Sequence, residues 1–189
     1  MVTLYLVRHG QTEGNVAQIL QGHLPGRLTP LGWKQADGLC ARLQAEHIVP
    51  DVLLSSDLQR AVDTAGVLSE AFRLPLRLTP LLRERDWGEL TGRAVSQVDV
   101  KHFPPSVETV EALSARALRF LSWLLSEYDG LRVLAVTHGL FARCVQAVLT
   151  GKSIRETPRM DNVEVRSVEV TAAALQAARL ALGDDLSDR

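Results

Sequence analysis

Short apolar runs that alternate with stretches of helical spacing constrain this chain more than any other feature. Residues 2–7 (VTLYLV), 52–54, 76–78 and 131–136 are too short for helices and rich in residues that favour strands. Between them, Ala36, Leu39, Cys40 and Leu43 recur at the helical period, as do Leu58, Ala61, Val62, Ala65 and Leu68. Thr29-Pro30 offers an N-cap followed by proline at the first helical position. A longer helix is predicted over about residues 107–128, with Val110, Leu113, Ala117, Leu121 and Leu124 facing inward. One more follows Thr137-His138-Gly139 and closes near Thr150-Gly151. Strands that alternate with helices argue for an α/β fold with a mainly parallel sheet covered on both faces. Residues 80–106 read as irregular, with Gly88, Gly92 and Pro104-Pro105. Near the end, Val163, Val165, Val168 and Val170 alternate with polar residues, and a phase slip at Arg166-Ser167 reads as a bulge. The stretch TAAALQAARLAL fits a helix, and it also fits an antiparallel edge strand. No repeat or linker divides residues 1–189, a length suited to one domain with a real core.

Charge and composition remove several function classes. A net charge of −1 provides no global basic field for nucleic acid or anionic lipid, so affinity for an anion has to be local. No apolar stretch is long enough to span a bilayer, and the start MVTLYLVRHG lacks the pattern of a signal peptide. A cytoplasmic protein is expected. Cys40 and Cys144 lie far apart among apolar neighbours and read as buried free thiols. The histidines (His9, His23, His47, His102, His138) show no metal-ligand spacing, so neither zinc nor another metal is expected. TGKS at residues 150–153 ends like a phosphate-binding loop. Gln146 occupies the place of that motif's first glycine, however, and the segment follows a helix.

The unusual polar residues fall at strand ends, where open α/β sheets bind their ligands. The first strand ends in Arg8-His9-Gly10, the second in Ser55-Ser56-Asp57 with Arg60 just beyond, and the strand at 131–136 in Thr137-His138-Gly139. Arg60 is odd on its own. A cation in the first turn opposes the helix dipole by up to about 1 kcal/mol, which reads most simply as a side chain facing solvent with Asp57 as a partly compensating cap. A bound anion would make the same placement favourable.

Taken together, these blocks carry a resemblance. LVRHGQTEGN resembles the hallmark motif of the histidine phosphatase superfamily, the phosphoglycerate-mutase-like proteins. QGHLPGRLTPLGWKQA, SSDLQRAVDTA, LLRERDWGELTG and VTHGLFAR resemble further blocks of that family in the same order, and DNVEVRSVEV and LALGDDLSD resemble its closing strands. The resemblance implies a three-layer α/β/α fold with an antiparallel edge strand, and catalysis through a phosphohistidine without a cofactor. It makes His9 the nucleophile and gives Arg8, Arg60 and His138 the phosphoryl oxygens. It adds Asn15, Thr12, Gln21, Gly22 and Gly139 to the substrate-binding set.

A proton donor is also needed, and Glu84, Asp86 and Glu89 are equal candidates by residue type. The family pattern places the role at Glu84. Relatives often have Gly-Glu-Ser before the long helix; here the region reads FPPSVETVEAL, where Glu108 and Thr109 retain part of that pattern. The short segment after Gly92 lacks the long insertion of the glycolytic mutases. A mutase must retain its intermediate and exclude water, so a short cover favours hydrolysis. The reading is a phosphomonoester hydrolase acting on a small-molecule phosphate ester, with neither nucleic acid nor membrane as partner. Phosphoglycerate mutase is the alternative, and a non-catalytic phosphoester-binding module the more distant one.

Overall fold

The computed structural model describes residues 1–183. The strands are β1 (Val2–Arg8), β2 (Val52–Ser55), β3 (Leu76–Leu78), β4 (Arg132–Thr137) and β5 (Val165–Val170). The helices are α1 (Glu13–Val16), α2 (Pro30–Ala45), α3 (Gln59–Phe72), α4 (Val110–Tyr128), α5 (Gly139–Thr150) and α6 (Ala172–Leu182). The irregular stretch after β3 holds three short 3-10 turns, at Pro80–Leu82, Gly88–Leu90 and Val95–Gln97.

The sheet runs β3-β2-β4-β1-β5, parallel except where β5 pairs antiparallel with β1. Its central strand β4 is buried from Val133 to Thr137, as expected of a parallel strand covered on both sides. Leu4 and Leu6 of β1 pack with Val133 and Ala135 beneath α4, α5 and α6. Val7, Leu134 and Val136 pack on the opposite face against Leu39 and Leu43 of α2 and Ala61, Ala65 and Leu68 of α3. A fully buried leucine contributes roughly 1.5–3 kcal/mol, so these two apolar layers fix which helix lies over which face. The chain leaving β1 goes to α2 on one face, and the chain leaving β4 goes to α5 on the other. The crevice between the ends of β1 and β4 is therefore the switch point at which such sheets bind ligands.

The register sets what meets there. Arg8 pairs with Thr137, so His9 and His138 stand level, one residue past the ladder. The His9 amide donates to the Thr137 carbonyl at 3.0 Å, and the Ser56 amide to the Val136 carbonyl at 2.9 Å. Three strand ends are locked side by side before any side chain is considered.

Several expectations change. The β1–β5 register runs from Val2↔Val170 to Val7↔Val165 without a skip, so there is no bulge at Arg166-Ser167. The apparent slip has another cause: Val163 and Val165 serve one apolar layer, while Val168 and Val170 serve the other. Residues 172–182 form α6 and not an edge strand, so the LAL that resembled a closing strand is helical; residues 184–189 lie outside the described residues. Val110 is 46% exposed at the start of α4, one residue after its cap Thr109, and Val62 is only half-buried. Cys40 and Cys144 are buried free thiols. Among the described residues, no helix is long and apolar enough to cross a membrane.

Candidate active site

A cavity of about 380 Å³ opens over the switch point, within the range of small-ligand sites. Its wall includes Arg8, His9, Asn15, Gln21, Gly22, Arg60, Glu84 and Gly139, most of the residues singled out from the sequence. Thr12 and His138 lie behind this wall, both fully buried.

His9 is the best defined of these. Its Nδ1 lies 2.7 Å from the Gly10 carbonyl, which can only accept, so Nδ1 carries the proton. The Nε2 lone pair then accepts from Arg60 Nε at 3.3 Å. Burial, the charge of Arg60 and, more weakly, that of Arg8 hold the imidazole well below its usual pKa. His9 is thus a neutral imidazole with one defined lone pair beside two guanidinium groups.

Gly32 and Thr29 explain why the loop after β1 keeps this shape. Thr29 caps α2 through the Gly32 amide, and the Gln11 amide donates to Gln35 of the same helix at 2.8 Å. A Cβ at Gly32 would lie 2.1 Å from the Gln11 carbonyl, so only glycine lets helix and loop approach this closely.

Arg60 is 1% exposed, and the solvent-facing reading is therefore wrong. Its Nη2 donates to the Gly22 carbonyl at 2.8 Å and its Nη1 to the Leu24 carbonyl. Desolvation pushes the guanidinium down to about 10. Asp57 is no cap either: it binds Arg83 in a bidentate pair at 2.7 and 2.6 Å, and the N-cap of α3 is Leu58, which makes no side-chain cap. Arg8 donates through Nη1 to the Met160 carbonyl at 2.6 Å, while its buried Nε has no partner among the described residues. A Cβ at Gly139 would stand 3.3 Å from that Nε, so the glycine lets the guanidinium lie across the start of α5.

The resemblance gives His138 a share of the phosphoryl group with Arg8 and Arg60; in the structure it packs edge-on against His9, with ring centroids 5.2 Å apart. Its Nε2 is 2.8 Å from Ser56 Oγ, and its buried Nδ1 has no partner among the described residues. Burial together with the charge of Arg60 lowers its pKa strongly.

The three carboxylates of the acid loop separate cleanly. Glu84 is on the cavity wall, whereas Asp86 accepts from the Gly88 amide and Glu89 faces Ser106. Glu84 Oε1 accepts from the Arg85 and Phe141 amides at 2.8 and 3.1 Å, and Oε2 from Leu140 at 3.2 Å. The carboxylate thereby caps α5, and of roughly four acceptor positions one remains, on Oε2. Arg116 fixes the loop from below, donating to the carbonyls of Leu81, Arg83 and Glu84 while paired with Glu108. Glu108 also accepts from the Asp86 amide, so it braces the loop that carries Glu84.

Thr12 and Asn15 form a capping box on α1. Asn15 Oδ1 accepts from the Thr12 amide and from Asn162 Nδ2, which turns its NH2 group away from these donors. Thr12 Oγ1 also donates to Gln21 Oε1 at 3.1 Å, and thus orients Gln21 without reaching the cavity itself. Sequence reasoning missed Asn162, whose Nδ2 also donates to the His9 carbonyl at 2.9 Å. It missed Ser56 as the partner of His138, although Ser56 stands at a predicted strand end. Trp87, Arg143 and Arg159 on the wall also went unassigned.

Among the described residues, none of 93–109 lines the cavity. That segment pairs with Ile19 and Leu20 and sets Phe103 at a tilt against Trp87. No group of three or more His, Cys, Asp or Glu residues is arranged to hold a metal ion among the described residues.

Comparison with known proteins agrees with this architecture. A profile described as the histidine phosphatase superfamily (branch 1) matches residues 4–182. The chain is 33% identical over 171 residues to a metal-independent phosphoserine phosphatase of Arabidopsis thaliana, covering 79% of this chain and 71% of that protein. It is 31% identical over 165 residues to the probable phosphoglycerate mutase GpmB of Proteus mirabilis, covering 80% and 76%. Among solved structures, a mycobacterial glucosyl-3-phosphoglycerate phosphatase in complex with VO3 superposes with a TM-score of 0.79 at 27% identity, covering 88% and 92%.

Proposed function

The chain belongs to the histidine phosphatase superfamily, and from that premise we propose that it is a phosphomonoester hydrolase working through a phosphohistidine on His9. The observation that carries this reading is the fixed tautomer of His9, a residue of the cavity wall: the Gly10 carbonyl holds the Nδ1 proton and leaves the lone pair on Nε2, beside Arg60.

In the first step that lone pair attacks phosphorus and the bond to the leaving oxygen breaks. Glu84, carrying a proton on Oε2, gives it to the leaving alkoxide. In the second step water attacks phosphorus, the P–N bond breaks, and Glu84 takes the proton of the attacking water. One carboxyl group returns to its starting state, a role worth about 10²–10⁴ in rate. Charge on the phosphoryl oxygens is met by Arg60, by Arg8 through its unpartnered Nε, and by the Asn15 and Gln21 amides. His138 acts from behind, as the positioned neighbour of His9.

Hydrolysis is preferred over mutase chemistry because the 93–109 segment is committed to Ile19, Leu20 and Trp87, which leaves the mouth uncovered by it. Activity without a bound metal is part of the proposal. It is tested by incubation with an aryl phosphate in excess chelator: wild-type protein should release inorganic phosphate, and His9→Ala should not. Quenching with labelled ester should trap an acid-labile, alkali-stable phosphoenzyme. Supplying 3-phosphoglycerate with a bisphosphoglycerate primer separates the two chemistries, since rapid isomerisation with little phosphate release would establish the mutase instead.

A further inference from the structure

The outer wall of the cavity carries two cations that the phosphoryl chemistry leaves unused. Arg143 comes from α5, and Arg159 from the segment between α5 and β5; both line the cavity that holds His9. Arg83, Arg116 and Arg166 are each paired with a carboxylate, whereas Arg143 and Arg159 have no such partner among the described residues. Arg143 is half-buried and fixed, with Nε donating to the Thr157 carbonyl at 2.9 Å and Nη2 to that of Ile154. Burial and the charges of Arg159 and Arg166 push its guanidinium down.

The backbone beside Arg159 is fixed as well. Arg166 donates to the carbonyls of Pro158 and Arg159 at 3.0 and 2.6 Å, and Arg8 to that of Met160. Only the Arg159 side chain, which is exposed, is left to adapt. Among the described residues, the only carboxylate on the wall is Glu84, whose oxygens already accept three amides. Arg143 is partly desolvated and meets the charges of Arg159 and Arg166, which the weaker attraction of Glu84 does not cancel, and an anion in the cavity offsets both costs.

We propose that Arg143 and Arg159 form a second anion subsite, so that the preferred substrates are small phosphomonoesters whose leaving group bears a further carboxylate or phosphate. The inference rests on the reading of His9 as nucleophile. The cavity's modest volume restricts the second anion to a small molecule.

The test compares kcat/KM for glycerol phosphate, whose leaving group is uncharged, with a phosphoglycerate and a glycerol bisphosphate. The proteins are wild type, Arg143→Gln, Arg159→Gln and, as a control on the exposed face of α4, Arg119→Gln. At least one anionic ester should exceed the neutral one by about tenfold or more, chiefly through KM. The arm that gains identifies the second group as carboxylate or phosphate. Arg159→Gln and Arg143→Gln should each cut the preference about tenfold, and Arg119→Gln should keep it. The Arg159 side chain makes no hydrogen bond among the described residues, so this variant carries the test even if Arg143→Gln disturbs its loop. A wild-type preference near one, or a preference unchanged in Arg159→Gln, overturns the subsite while His9-dependent turnover stands. Turnover that survives in His9→Ala overturns the parent reading instead.

Discussion

His9 and His138 stand level at the ends of neighbouring parallel strands, each followed by glycine and each buried, yet their ring nitrogens are satisfied in opposite ways. His9 has Nδ1 tied to its own backbone and Nε2 turned to Arg60 on the cavity wall. His138 has Nε2 tied to Ser56 and Nδ1 without a partner, and it never reaches the wall. The His–Gly dipeptide therefore does not set the chemistry. What differs is the third strand end: β2 contributes Ser56 behind one ring, and the helix after it contributes Arg60 beside the other. The same two residues become a candidate nucleophile in one case and its support in the other.

The comparison breaks most sharply at the nucleophile. His9→Ala should lower turnover of an aryl phosphate by at least about a thousandfold, because without the covalent step only positioning and charge remain. His138→Ala, measured beside it, should cost about tenfold to a hundredfold, and it should still yield a trappable phosphoenzyme. If the losses come out equal, or if the phosphoenzyme vanishes only in His138→Ala, the two assignments must be exchanged. Arg60→Gln falls between them, at about a hundredfold in kcat/KM, since it removes charge-assisted contacts worth roughly 1.5–3 kcal/mol each.

The reach of sequence reasoning follows the same line. Strand and helix periodicity placed the residues of the β1, β2 and β4 ends on one sheet edge, because parallel strands covered on both sides read as plain apolar runs. The family-like blocks picked Glu84 from three carboxylates, and the structure sets it alone of the three on the cavity wall. Periodicity could not show that Arg60 is buried, because burial there depends on the Gly22 and Leu24 carbonyls, about 36 residues upstream. Asn162 went unseen for the same reason: it reaches the His9 carbonyl across 153 positions of sequence. The supposed bulge in β5 failed differently. An edge strand with an apolar layer on each side changes phase when it passes from one layer to the other, and a single string of valines carries no sign of which layer each serves.

Both histidines should also show in the acid sensitivity of the fold. Both native imidazoles titrate well below 6.5, whereas in the unfolded chain they protonate near about 6.5. Between those values the unfolded state binds more protons, so unfolding free energy falls as pH falls. Stability should be full at pH 7–8 and drop below about pH 6.5, by at most about 1.4 kcal/mol per pH unit for each histidine. Denaturant midpoints taken from pH 7.5 to 5 would record this. His9→Gln should remove about half of the slope.

The smallest effect tests the support itself. Ser56→Ala leaves the His138 ring buried with neither nitrogen partnered, a loss expected to cost about 1–3 kcal/mol of stability. The cavity wall is untouched, because Ser56 and His138 both lie behind it. Turnover should fall by less than in His138→Ala, mainly in kcat, since the ring behind His9 remains but is no longer held in one orientation. Ser56→Thr restores the hydroxyl and should recover much of both quantities. A kcat loss in Ser56→Ala as deep as that of His9→Ala would mean that His138, and not its neighbour, carries the reaction. No loss in either quantity would mean that the 2.8 Å contact does not orient the ring, and the asymmetry between the two junctions would then rest on Arg60 alone.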